Sequence, residues 1–186
     1  MKDVEAALFD FVNIFGEMKL DYVILGGLAV RAYGVPRATY DVDVGVAIPD
    51  GRLMEFYDRV EDAGYTVPDS YRSGWVDRIA DMPLVKFRIY RPDKSVDVDI
   101  FIIESTFQQE VIRRRQPTEL DGQTVWIASP EDIVLLKLIA GRHRDYGDIE
   151  DMRMLLGDLD EPYLRQWASF LDISERLENV LKTPPL

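Results

Sequence analysis

Ile24-Leu25-Gly26-Gly27-Leu28-Ala29-Val30, followed by Gly34-Val35-Pro36-Arg37-Ala38-Thr39-Tyr40-Asp41-Val42-Asp43-Val44, is the stretch on which the fold turns. A short buried strand over Tyr22 to Leu25 runs into the Gly-Gly pair, which reads as a turn. A helical pattern from Leu28 to Tyr33 is then stopped by Gly34 and Pro36. From Asp41 to Ala47 acid and valine alternate, and a period of two marks a strand with unlike faces. Residues two apart on a strand share a face with Cα atoms about 6.6 Å apart, so Asp41 and Asp43 can aim their carboxylates at one point.

Working outward, Val4, Ala7, Leu8, Phe11, Ile14 and Phe15 recur at helical spacing and predict an opening amphipathic helix. Beyond the acidic strand, Pro49-Asp50-Gly51 turns the chain, Leu53 to Val60 gives a helix closed by Gly64, and a strand is expected near Tyr65 to Val67. Asp69 to Asp81 shows no period. Pro83 to Tyr90 and Ser95 to Ile103 read as an antiparallel hairpin around Arg91-Pro92-Asp93-Lys94, and its second strand repeats the paired acids as Asp97 and Asp99. A shorter strand pair turns at Asp121-Gly122 and ends in Val125-Trp126-Ile127. Ser129-Pro130-Glu131-Asp132 then supplies a cap, a proline at the first helical position and an acid three residues after the cap, starting a helix to about Arg142. Further helical patterns cover 148–156, 163–171 and 174–181. The expected class is α+β: a mixed sheet flanked by helices over residues 1–128, with a helical bundle over 129–186 packed on it.

Composition narrows the chemistry. The 186 residues contain no cysteine and one histidine, His143, which removes disulfides, thiolate zinc sites, cysteine nucleophiles and multi-imidazole centres. Hard chemistry must run on carboxylates. Two like charges at about 4 Å repel by roughly 4 kcal/mol at an effective dielectric of 20, so convergence of the acid pairs demands a cation, and oxygen-only ligands favour Mg²⁺ or Mn²⁺. The formal charge of −12 repels phosphate backbones and anionic lipid, leaving Arg113-Arg114-Arg115 and the segment Lys137 to Arg144 as basic spots, each expected to be a solvated helix end. Acids interrupt what would be a signal peptide's apolar core, and no apolar run approaches a membrane span, so a cytoplasmic protein without a membrane partner is expected. P-loop, Rossmann and Gly-x-Ser-x-Gly fingerprints are missing from the sequence.

The order strand, Gly-Gly, short helix, Asp-x-Asp strand and later acidic strand resembles the nucleotidyltransferase superfamily with the DNA polymerase β-like core. Within it, Ser129-Pro130-Glu131-Asp132 and Lys137-Leu138-Ile139-Ala140-Gly141-Arg142, followed by Asp145 and Asp148, look most like the small bacterial proteins grouped with AbiEii-like toxins. The resemblance implies transfer of a nucleoside monophosphate from an NTP such as ATP to an acceptor hydroxyl, with two divalent ions held by Asp41, Asp43 and a third carboxylate. Asp99 is the choice for that third acid, before Ile100-Phe101, and Asp97 competes with it. The resemblance also implies nucleotide contacts by Gly26, Gly27, Arg37, Thr39 and Lys137, with Arg142, Asp145 and Asp148 positioning Lys137 or the base. A Gly-Gly pair lets backbone approach phosphate oxygens. Lys137 also reads as a lysine whose stem lies along a core stripe. The acceptor stays open among tRNA, a protein side chain and a small molecule such as an aminoglycoside or lincosamide antibiotic. The negative charge suits a cationic small molecule better than tRNA. The other reading is a catalytically weak binding module, one half of a toxin-antitoxin pair with a cognate protein partner, against which intact Asp41, Asp43 and Asp99 argue.

Overall fold

The computed structural model describes residues 2–79, 82–90 and 95–182. The chain runs α1 (Lys2–Met18), β1 (Asp21–Ile24), α2 (Gly26–Ala32), β2 (Asp41–Ala47), α3 (Leu53–Asp62), α4 (Asp69–Arg72), β3 (Asp77–Ile79), β4 (Met82–Tyr90) and β5 (Ser95–Ile102). It continues α5 (Thr106–Arg114), β6 (Gln116–Leu120), β7 (Gln123–Ile127), α6 (Pro130–Ala140), α7 (His143–Leu156), α8 (Glu161–Phe170) and α9 (Ser174–Lys182). Among the described residues the strands form one mixed sheet of seven in the order β3-β4-β5-β2-β1-β7-β6. The fold is α+β, the class the sequence pattern implies. No helix of the described residues is long and apolar enough to cross a membrane.

Strand β2 lies between β1, antiparallel to it, and β5, parallel to it. Its valines and the matching residues of β5 decide how the sheet packs. Val42, Val44, Val98 and Ile100 are fully buried and share one face, on which Phe87 of β4 lies opposite Val98. Phe87 stacks on Phe11 of α1 at 5.8 Å between ring centroids and meets Phe56 of α3 edge-on at the same distance. Burying rings of this size dominates the core, and each favourable ring geometry adds about 0.5–1.5 kcal/mol. The other face of β2 and β5 carries the acids.

Helix α6 is fixed at both ends. Ser129 Oγ accepts from the Asp132 backbone N–H at 3.3 Å and donates to the Asp132 carboxylate at 2.8 Å. Asp132 is buried and also accepts from the Tyr163 hydroxyl, tying α8 to the start of α6. At the far end Gly141 adopts the left-handed conformation that closes a helix, and Arg176 of α9 donates to the Leu138 carbonyl at 2.7 Å. Ser129→Ala is expected to lower stability by about 1–2 kcal/mol in urea denaturation, since it removes both a cap and a donor to a buried acid.

Several expectations shift. Gly26 and Gly27 do not form a turn before a helix; they open α2, because Gly26 at φ 57° lets the chain bend straight from β1 into the helix. The strand near Tyr65 to Val67 reduces to one bridge between Thr66 and Arg88. The unpatterned segment holds short α4 and edge strand β3. Helix α6 ends at Ala140, before Arg142, and α7 begins five residues ahead of Asp148 at His143, where the Asp145 carboxylate accepts from the Arg142 backbone N–H at 3.2 Å. Arg114 and Arg115 are not solvated helix ends, since Arg114 pairs with Glu131 and stacks on Tyr163 while Arg115 pairs with Asp21. The Arg91 to Lys94 link lies outside the described residues.

Candidate active site

The parallel register sets Asp41 beside Asp97 and Asp43 beside Asp99. Period-two geometry puts all four carboxylates on the sheet face away from Phe87. A cavity of about 280 Å³ opens there, lined by Asp41, Asp43 and Asp99 on the strands, Gly26 at the start of α2, and Lys137 and Arg142 at the end of α6 and just beyond. Asp97 lies outside it, on an adjoining groove, where the Arg88 guanidinium grips both its oxygens and holds its carboxyl below the usual carboxylate range. Of the two competing acids, the structure brings only Asp99 to the cavity shared with Asp41 and Asp43.

Asp43 is the most perturbed of these groups. Burial, and then the charges of Asp41 and Asp99, push its carboxyl up to about 7, with Arg142 and Lys137 pulling the other way. The Asp43 carbonyl accepts from the Leu25 N–H at 2.8 Å, which brings the start of α2 against the carboxylate. A Cβ on Gly26 would fall on the Asp43 carboxylate. Three carboxylates line one cavity, and their all-oxygen donor set suits Mg²⁺ or Mn²⁺. The donor chemistry therefore fits. As the side chains stand, no group of three or more carboxylate or imidazole ligands is gathered around a point among the described residues. The Asp99 carboxylate is engaged by the Lys86 ammonium at 2.6 Å.

On the helical side of the cavity, Lys137 is almost fully buried between Asp145, at 3.3 Å, and Asp148. Asp148 also pairs with Arg37, and Asp145 accepts from Arg142 Nε at 2.8 Å. Burial works to raise the Asp145 carboxyl, but the Arg142 hydrogen bond and the Lys137 and Arg142 charges hold it below the ordinary value. Three cations and two acids thus interlock, linking the segment before β2 to α6 and α7.

Gly27, Arg37 and Thr39 stand together outside the cavity lining. A Cβ on Gly27 would come within 2.5 Å of Thr39 Oγ1 and 3.2 Å of Arg37 Cζ. Thr39 is buried, and its hydroxyl has no hydrogen-bond partner among the described residues.

Two features escaped the sequence reading. The apolar cavity wall of Leu136, Ile139 and Phe101 is only partly buried, which the apolar pattern of these segments does not signal. Lys86 was countable from the hairpin: a four-residue link makes Tyr90 face Ser95, and stepping back by twos puts Arg88 opposite Asp97 and Lys86 opposite Asp99.

Solved structures of similar fold include a lincosamide antibiotic adenylyltransferase, LnuA, with lincomycin bound: TM-score 0.54, 18% identity, covering 81% of this chain and 97% of that one. The antibiotic-resistance factor ANT(2'')-Ia gives TM-score 0.58 at 18% identity over 92% and 93% of the two chains. An antigenic nucleotidyltransferase-like protein from Paracoccidioides brasiliensis gives 0.54 at 20% identity over 97% and 93%. At such identities the likeness is one of fold. No curated protein sequence matches the chain. The AbiEii-like subtype is not confirmed by these comparisons. The family described as nucleotidyltransferase of unknown function (DUF6036) matches residues 7–181, nearly the whole length, so the chain belongs to that family and is an enzyme of the nucleotidyltransferase class.

Proposed function

We propose that this chain uses Mg²⁺ or Mn²⁺ to transfer a nucleoside monophosphate from an NTP to the hydroxyl of a small molecule in the cytoplasm. The observation that carries the proposal is the meeting of Asp41, Asp43 and Asp99 in one cavity with Gly26, Lys137 and Arg142. Asp41, Asp43 and Asp99 are the residues that would hold the metal. When bound, it would neutralise phosphate charge and acidify the attacking hydroxyl. In this reading Gly26, Gly27, Arg37, Thr39 and Lys137 bind the nucleotide, Gly26 and Lys137 from the cavity wall and Gly27, Arg37 and Thr39 from beside it. Asp145, Asp148 and Arg142 position Lys137. The acceptor oxygen attacks the α-phosphorus, its proton passes to Asp99, and the bond to the β-phosphate oxygen breaks so that pyrophosphate leaves.

The fold shared with LnuA and ANT(2'')-Ia, together with the chain's charge of −12, supports a cationic, hydroxyl-bearing small molecule as acceptor. The test is incubation with each α-labelled NTP, Mg²⁺ and a panel of aminoglycosides, lincosamides, tRNA and cell extract. Label in a small molecule supports the proposal, and failure of all four NTPs to label anything ends it.

Asp99→Asn is expected to cut kcat by at least about 10²-fold with little change in KM, because a base acts in the transition state. Asp97→Asn, whose acid faces another groove, is expected to lose less than about tenfold. A dead Asp97→Asn beside an active Asp99→Asn would move the role of base to Asp97.

A further inference from the structure

Asp97 and Asp99 are each met across the hairpin by a cation, and the two cations differ in kind. Arg88 faces Asp97 with a two-pronged contact, one prong at 2.8 Å, while Lys86 meets Asp99 through a single Nζ–Oδ2 contact at 2.6 Å. A guanidinium fork matched to a carboxylate is directional and hard to part, whereas an ammonium is a point charge on a flexible stem. The Lys86 side chain is 47% exposed and the Asp99 side chain 18%, so the pair is wet on the lysine side and weak in net terms.

The backbone of Lys86, in contrast, is anchored. Strand β3 pairs with β4 only over Met82 to Leu84, leaving the Lys86 N–H to donate instead to the buried Tyr71 hydroxyl at 3.1 Å. That hydroxyl in turn donates to Asp77 at 2.8 Å. The stem therefore starts from a fixed point, and its half-exposed ammonium lies in a groove lined also by Asp41, Arg88, Asp97 and Asp99.

We infer that Lys86 is a tethered counter-cation to Asp99, a positioning residue that holds this carboxylate in the metal-free protein and yields it when a divalent ion arrives. The inference rests on the reading of Asp99 as a metal ligand. It also accounts for the split between the two acids: Asp97 is clamped and Asp99 is surrendered. The lysine's place on a monodentate contact is then the specific requirement, and an arginine there would lock the acid as Arg88 locks Asp97.

Titration of Mn²⁺ into the full, nucleotide-free chain by calorimetry tests this without any activity readout. Lys86→Met is expected to tighten Mn²⁺ about tenfold, because a competing charge leaves the site. Lys86→Arg keeps the charge and is expected to weaken Mn²⁺ by about tenfold through the bidentate clamp. If both variants bind Mn²⁺ like the parent while Asp99→Asn binds it more weakly, Lys86 has no such role and the metal assignment stands. If Asp99→Asn itself leaves Mn²⁺ affinity unchanged, the reading of Asp99 falls, and the inference with it.

Discussion

Asp41→Asn combined with Asp43→Asn is expected to abolish both Mn²⁺ binding and nucleotidyl transfer, the latter by at least about 10³-fold, while the protein melts no earlier than the parent. The reason lies in the sheet. Both residues stand on the cavity face of β2, and the valines between them carry the packing. The single variant Asp43→Asn is expected to be more stable than the parent in EDTA at pH 8. With its carboxyl raised from the ordinary 3.8 to about 7, the folded state holds that proton more tightly than the unfolded chain. The stabilising contribution of that proton is complete below about pH 4 and is lost as pH rises through 7. Full conversion at 1.36 kcal/mol per pH unit gives about 4 kcal/mol, and solvent reaching the cavity reduces the gain to about 2 kcal/mol. Melting curves at pH 8 and pH 4 read it directly. A gain that is no larger at pH 8 than at pH 4 would falsify the account of Asp43.

Lys137→Ala is expected to cost about 1–3 kcal/mol of stability, because Asp145 and Asp148 lose the buried ammonium they share and keep only Arg142 and Arg37 as partners. Nucleotide affinity should also fall by about 1.5–3 kcal/mol if the ammonium reaches the triphosphate. The two losses are separated by adding Asp148→Asn, which removes one of the two acids that the lost ammonium had bridged. Urea denaturation should then recover part of the stability while NTP binding stays weak. Recovery of NTP binding together with stability would show that Lys137 acts only as a structural bridge.

The strands that carry the acids were legible because their period is strict. Asp41 to Ala47 is strand β2 residue for residue, and the paired acids of β5 follow the same rule. Ser129 was legible as a cap because serine, proline and acid stand at the positions where helix ends need them. What failed did so where distant parts of the chain decide. Gly26-Gly27 reads locally as a breaker, but Gly26 bends the chain at a positive φ, where a Cβ would fall on the Asp43 carboxylate, and α2 starts directly from that bend. The start of α7 was missed since Gly147 interrupts the apolar pattern and the cap comes from an Arg142–Asp145 pair, not from serine or threonine. The partners of Lys137 lie eight and eleven residues on, and only the reversal at Gly141 brings them back to it.

Strands β2 and β5 divide labour by parity: odd-numbered residues face the cavity as Asp41, Asp43 and Asp99, and even-numbered ones fill the core as Val42, Val44, Val98 and Ile100. Insertions and deletions therefore meet this site very differently from point changes. Losing one codon within β2 would swap the faces, sending carboxylates toward Phe87 and valines into the cavity, so fold and chemistry would go together. A residue added between Gly34 and Tyr40, where the chain has no regular structure, leaves that parity intact and disturbs instead the placement of Arg37 and Thr39. Length changes are thus expected to be tolerated between the strands sooner than within them, with the reading of odd and even deciding which ones leave the acids facing the cavity.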